Sequence, residues 1–162
     1  LVLHLAPVDF PPLALPLPLQ FIFRLLASFC GVFGFSIMFN SPKRLAATAA
    51  MIGAIANTFR LELVDLTAFP PAAAAFLGAL VAGLLASLIK NQAGYPRISL
   101  TVPSIVIMVP GLYLYRAIYN LGIMSLTTSA SRFASAFLII IALPFGLIFA
   151  RILTDRTFRY CT

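Results

Sequence analysis

Residues Pro70–Ile89 read PPAAAAFLGALVAGLLASLI, an uncharged run opened by a proline pair. The run matches the ~20 apolar residues that an α-helix needs to cross a bilayer core. Small residues recur along it at spacing four, on two ridges: Ala74, Gly78, Ala82, Ala86 and Ala75, Ala79, Gly83, Ser87. Apolar side chains gain nothing by leaving lipid, so membrane helices associate through close backbone approach over such small residues. A helix with two ridges is expected to be central, with neighbours on both sides.

The rest of the chain repeats the theme. Span one is expected over roughly 20–39, span two over 45–61, span four over 98–121 and span five from just after Arg132 to about Leu153. Ser41 is the expected N-cap of span two, with Pro42 at its first helical position. Arg60, Glu62 and Asp65 are expected to close span two. Small-residue ridges also mark span two (Ala46, Ala50, Ala54 beside Ala49, Gly53) and span five (Ala142, Gly146, Ala150). The fold class that follows is an all-α integral membrane protein, a bundle of about five transmembrane helices, one of them broken by paired prolines.

Composition agrees. The 162 residues are 62% hydrophobic and 9% charged, whereas a soluble domain needs about 25% charged residues to cover its surface. The net charge of +7 does not indicate nucleic acid, because the basic residues stand singly or in pairs at the ends of apolar runs, where they anchor helices. Lys43 and Arg44, Lys90 and Arg97, and Arg151, Arg156 and Arg159 fall on one side of a five-span bundle. Basic residues favour the cytoplasmic side, so the N-terminus is expected outside and the C-terminus inside. Residues 154–162 form a short basic tail.

Residues 1–19 carry Pro7, Pro11, Pro12, Pro16 and Pro18, and proline breaks helices. The segment reads as an extended lead-in or linker ahead of a transmembrane domain over 20–153. The first residue is Leu1, which leaves the true N-terminus open. Cys30 in an apolar run, Cys161 in the tail and the single His4 give neither a disulfide framework nor a metal spacing. No cofactor is expected. No serine–histidine–acid set or glycine-rich phosphate loop is present, so an enzyme is not expected.

The candidate site lies in span four, over Thr101-Val102-Pro103-Ser104 through Val109-Pro110-Gly111. Each proline removes a backbone donor and frees a carbonyl. Irregular backbone at membrane depth is tolerated where it is buried in protein or lines a wet cavity, and transporters use broken helices to meet solutes. The competing reading is a kinked structural helix. Tyr113, Arg116 and Asn120 share the next face; Arg116 is either a bidentate carboxylate clamp or an interfacial anchor among tyrosines. Gly53, Asn57 and Arg60 form a stripe on span two, and Asn57 either bonds across helices or meets solute. The expected substrate-binding set is therefore Thr101, Pro103, Ser104, Pro110, Gly111, Tyr113, Arg116 and Asn57. The four acids, Asp9, Glu62, Asp65 and Asp155, sit near segment ends. A proton relay normally needs an intramembrane acid; either Glu62 serves, or a partner supplies it, or the coupling is not by side-chain proton relay.

Several stretches, in order, resemble the smaller, membrane-only half of the threonine/serine exporter family. They are Gly34-Phe35-Ser36-Ile37-Met38-Phe39-Asn40-Ser41-Pro42-Lys43-Arg44, Met51-Ile52-Gly53-Ala54-Ile55, Leu80-Val81-Ala82-Gly83-Leu84, and Val109-Pro110-Gly111 through Tyr115-Arg116-Ala117. The likeness spans roughly 21–153. It implies a bacterial cytoplasmic-membrane secondary transporter exporting threonine or serine, or in some relatives a succinate-like dicarboxylate. It also implies a companion exporter half, fused or separate, with its own spans and a soluble segment, an oligomeric assembly in lipid, and coupling to the proton gradient. It assigns no substrate contacts. A structural subunit of a larger membrane complex is the alternative.

Overall fold

In each helix of the bundle an apolar run ends at a proline, a glycine or a charged pair. The computed structural model describes residues 16–155. They form six helices, α1 (Leu17–Met38), α2 (Lys43–Thr67), α3 (Pro71–Ala93), α4 (Arg97–Val106), α5 (Gly111–Gly122) and α6 (Leu126–Thr154), and no strands. The lead-in over 1–15 with His4, and the tail over 156–162 with Arg156, Arg159 and Cys161, lie outside the described residues.

α1, the Pro71–Ile89 part of α3, and α6 are each long and apolar enough to cross a membrane. α4 and α5 pass together as a fourth span bent by 42°. α2 has the length, at 25 residues, but its charged residues leave it less apolar. It packs against α1, α3 and α4, with ten of its residues buried. The result is an all-α membrane bundle of five rods, one of them bent.

The small-residue ridges bring the rods together. Ala74, Ala75, Ala79, Ala82 and Ala86 of α3 are fully buried. α3 packs most extensively on α6 and also touches α2 and α4, which is the central position its two ridges require. A Cβ on Gly146 of α6 would stand 2.4 Å from the Phe76 carbonyl oxygen and 2.9 Å from the Ala79 Cβ. A Cβ on Gly53 of α2 would stand 2.9 Å from the Ser104 carbonyl oxygen. At both crossings only a hydrogen fits. Large apolar side chains point outward, as on the α6 face carrying Phe137, Ile141, Phe145 and Ile148, where lipid is the natural solvent.

Several boundaries differ from those the sequence suggests. α1 begins at Leu17, because Pro16 takes the N-cap position and Pro18 the first turn, where the missing N–H is no loss. Pro42, not Ser41, is the N-cap of α2 and makes no side-chain cap bond. α2 does not close at Arg60, Glu62 and Asp65 but runs on to Thr67. Arg24 of α1 pairs with Glu62 at 3.0 Å and with Asp65, so both acids are neutralised inside the helix. α6 starts at Leu126, taking Thr127, Ser131 and Arg132 into the helix. Pro103 does not interrupt α4, which continues to Val106. The span has one break, not two.

Candidate functional site

The break lies between Val106 and Gly111. α4 tightens at its end, with the Met108 amide donating to the Ile105 carbonyl at 2.9 Å and the Val109 amide to the Val106 carbonyl at 3.1 Å. The Gly111 amide then donates to the Val109 carbonyl at 2.8 Å, a three-residue turn around Pro110 (φ −80°, ψ 54°) close to an inverse γ-turn. Because Gly111 is diverted to Val109, the Ile107 carbonyl loses its usual helical donor. α5 restarts at Gly111, and the Leu112 and Tyr113 amides of its first turn have no intrahelical partner.

The Met108 carbonyl finds a donor on another helix. Arg60 Nη1 of α2 reaches it at 3.3 Å. Arg60 stands seven residues before the end of α2, a depth of about 10 Å. The crossing that admits it is tight: a Cβ on Gly78 of α3 would lie 3.1 Å from the Arg60 Cβ and 3.3 Å from the Met108 sulfur. The Arg60 Nε is buried and has no hydrogen-bond partner in the protein. On the same turn of α2, Asn57 Oδ1 and Thr58 Oγ1 are buried and equally without a partner.

A cleft of about 320 Å³ opens here. Arg60, Leu61 and Val64 of α2 form one wall, and Ile107, Val109, Pro110, Gly111, Leu112 and Tyr113 the other, closed by Pro71 and Ile139. Its volume is at the small end of the roughly 300–1,000 Å³ typical of small-molecule sites. Arg60 is the single charged side chain in that lining.

The eight expected site residues separate. Pro110, Gly111 and Tyr113 line this cleft. Ser104 is fully buried, and its hydroxyl lies 2.6 Å from the Leu100 carbonyl and 2.9 Å from the Ala49 carbonyl, tying α4 to α2. Pro103 is buried beside it. Asn57 donates to Ser28 Oγ of α1 at 2.8 Å, the cross-helix role, while keeping its bare Oδ1. Arg116 lies on α5 outside the cleft lining, and its carbonyl accepts from the Asn120 amide nitrogen at 2.7 Å. Thr101 turns its hydroxyl back to the Arg97 carbonyl at 3.2 Å and faces a different cleft.

That second cleft, about 480 Å³, lies at the start of α4 between α4 and α6 and includes Arg97, Thr101, Arg151 and Asp155. Its charges answer one another. Arg97 donates to Thr154 Oγ1 and to the Gly83 carbonyl, both at 2.9 Å. Asp155 lies 3.5 Å from Arg97 and 3.6 Å from Arg151. Arg97 thus ties the start of α4 to the middle of α3 and the end of α6. Among the described residues no cluster of histidine, cysteine and acids could hold a metal.

Arg60 was legible as part of the Gly53–Asn57–Arg60 stripe and of the charged group expected to close span two. Its acceptor, 48 positions away, carries no side-chain signal. Composition likewise gives no hint that Arg24 faces Glu62 and Asp65.

No curated protein and no solved structure matches the chain. A family model described as Threonine/Serine exporter, ThrE, matches residues 24–153. That match takes in all five rods, the broken span included, and on it the chain belongs to the threonine/serine exporter family and is a multi-pass membrane transporter of that type.

Proposed function

We propose that the chain is the membrane-only half of a secondary transporter that exports threonine or serine, and that its solute passes the cleft at the α4–α5 break. The observation that carries this reading is the broken span itself, where bare peptide groups and a partly buried arginine lie along a small cleft between helices. Lipid cannot satisfy such groups, whereas a polar solute can. The solute-contacting residues are Arg60, Pro110, Gly111 and Tyr113. A companion half supplies the remaining spans and the soluble segment, and the assembly works in a bacterial cytoplasmic membrane.

In this reading the C-terminus lies in the cytoplasm. The α1–α2 turn and the start of α4 border one groove, and the start of α4 meets the end of α6 through Arg97. Lys43, Arg44, Arg97 and Arg151 therefore crowd one end of the bundle, which supports that end as the cytoplasmic one.

The test is transport. Inside-out vesicles from cells making the whole assembly should accumulate labelled threonine or serine above vesicles lacking this chain. The purified chain should bring down, in equal amounts, a second membrane protein with about five spans and a soluble segment, unless that half is fused to it. Vesicles that move neither amino acid, or co-purification with an unrelated energy-transducing complex, overturn the reading.

A further inference from the structure

We propose that the cleft is built for an amino-acid zwitterion, with Arg60 and the first turn of α5 taking the carboxylate and the end of α4 taking the ammonium. This deepens the exporter reading and rests on it. Three observations carry it, and each concerns charge.

Arg60 is a cation without an anion. Among the described residues no acid pairs with it; Glu62 and Asp65 are engaged by Arg24, and Asp155 lies with Arg97 and Arg151 at the other end. Among the described residues its hydrogen bond goes to the Met108 carbonyl at a long 3.3 Å, and Nε has no partner. A guanidinium at this depth is costly and marks a solute path. A carboxylate fits its planar fork.

The backbone beside it is already polarised. The end of α4 and the start of α5 meet at the break, and residues of both, Ile107 and Gly111 to Tyr113, line the same cleft. The unpaired Leu112 and Tyr113 amides favour negative charge. The Ile107 carbonyl, deprived of Gly111, offers an acceptor to an ammonium. Opposite poles a few residues apart suit a molecule carrying both charges on neighbouring atoms.

The lining on this chain favours a zwitterion over a dicarboxylate. A dicarboxylate would need two cationic partners, and Arg60 is the cleft's single charged residue. The second cleft carries arginines, but Asp155 sits between them.

The experiment measures binding by calorimetry to the purified assembly. The probes are L-threonine, L-threoninamide (no carboxylate), 3-hydroxybutyrate (no ammonium) and succinate. The wild-type protein should bind threonine at least about tenfold more tightly than any of the other three, the scale of one lost charge-assisted hydrogen bond. Arg60→Gln should weaken threonine by a similar factor and leave threoninamide nearly unchanged, and Arg60→Lys should recover part of the loss. Succinate or threoninamide binding as tightly as threonine overturns the proposal without any variant having to fold. So does full threonine affinity in a folded Arg60→Gln protein. If wild-type vesicles transport threonine while these ligand contrasts fail, this inference falls and the exporter reading stands. If they transport no amino acid, both fall.

Discussion

α6 and the α4–α5 pair both carry a proline in mid-span, yet only one of them breaks. Pro144 sits inside a helix of 29 residues that runs uninterrupted from Leu126 to Thr154. Pro110 separates two short helices by 42°. Pro103, three residues before the end of α4, behaves like Pro144. Proline alone therefore does not open a membrane helix. Around Pro110, Gly111 follows at once and turns its amide to Val109, and Arg60 reaches across from α2 to accept the role of donor to Met108. The ring of Pro144 points outward and α6 is pinned along its other side by Gly146 and Ala150 against α3. A break persists where a neighbouring helix satisfies part of the bare backbone, and here a small cleft lies beside it.

The comparison can be broken at four points. The largest effect belongs to the pinned side of α6. Gly146→Leu places a side chain where the Phe76 carbonyl would already be 2.4 Å from a Cβ. Overpacking of this kind costs about 1–3 kcal/mol and occasionally more, so the melting temperature of the detergent-solubilised protein should collapse. An unchanged melt would show that α3 and α6 are not locked.

Next comes the break. Pro110→Ala restores an amide that can donate to the Val106 carbonyl and lets α4 run into α5. Threonine transport should fall at least about tenfold, or ~1.4 kcal/mol in the barrier, while the fold survives. Labelling of Val109→Cys by a water-soluble maleimide should fall with it. Full transport by the straightened variant would separate the break from the mechanism.

A smaller effect is expected at Gly111→Ala. No atom lies within 4 Å of the added Cβ, and alanine favours helix over glycine by about 1 kcal/mol. The protein should melt slightly higher and move threonine more slowly, with its affinity retained. A loss of affinity instead would mean that the added methyl group takes space the solute needs beside Gly111.

Pro144→Ala should do least. It returns one hydrogen bond to a helix that is already continuous, stabilising by about 1 kcal/mol, and transport should not change. A transport defect here would make Pro144 a second hinge and undo the contrast with Pro110.

Much of the fold was readable along the chain. Period-four small residues predicted the crowded core of α3, since Ala74, Ala75, Ala79, Ala82 and Ala86 are all buried. Proline and glycine punctuation located the turns before α2, α3 and α4, whereas α6 starts at Leu126, ahead of the expected Arg132. The charged group Arg60, Glu62 and Asp65 misled, because charge near a helix end reads as a boundary when the partner on α1 is unseen. The site was half legible. Pro110, Gly111 and Tyr113 were found from local chemistry, and they do meet at one cleft. Ser104 and Asn57 carry the same polar signal, yet their hydrogen bonds run to Ala49, Leu100 and Ser28. A hydroxyl or amide looks the same in a string of letters whether its partner is a helix or a solute.

What the sequence determined by itself was the solvent and the parts: so little charge, and apolar runs of such length, admit only helices in a bilayer, because there every backbone group must be satisfied within its own segment. The tertiary structure decided which polar groups were left over. Arg24 joins Glu62 and Asp65 across 38 and 41 positions, and Asp155 joins Arg97 and Arg151, while Arg60 faces a broken helix 48 positions away with no acid beside it. Pairing of charges depends on distances of a few ångströms between helices, and those distances are fixed by how glycines and alanines let backbones close, not by the order of residues along any one of them.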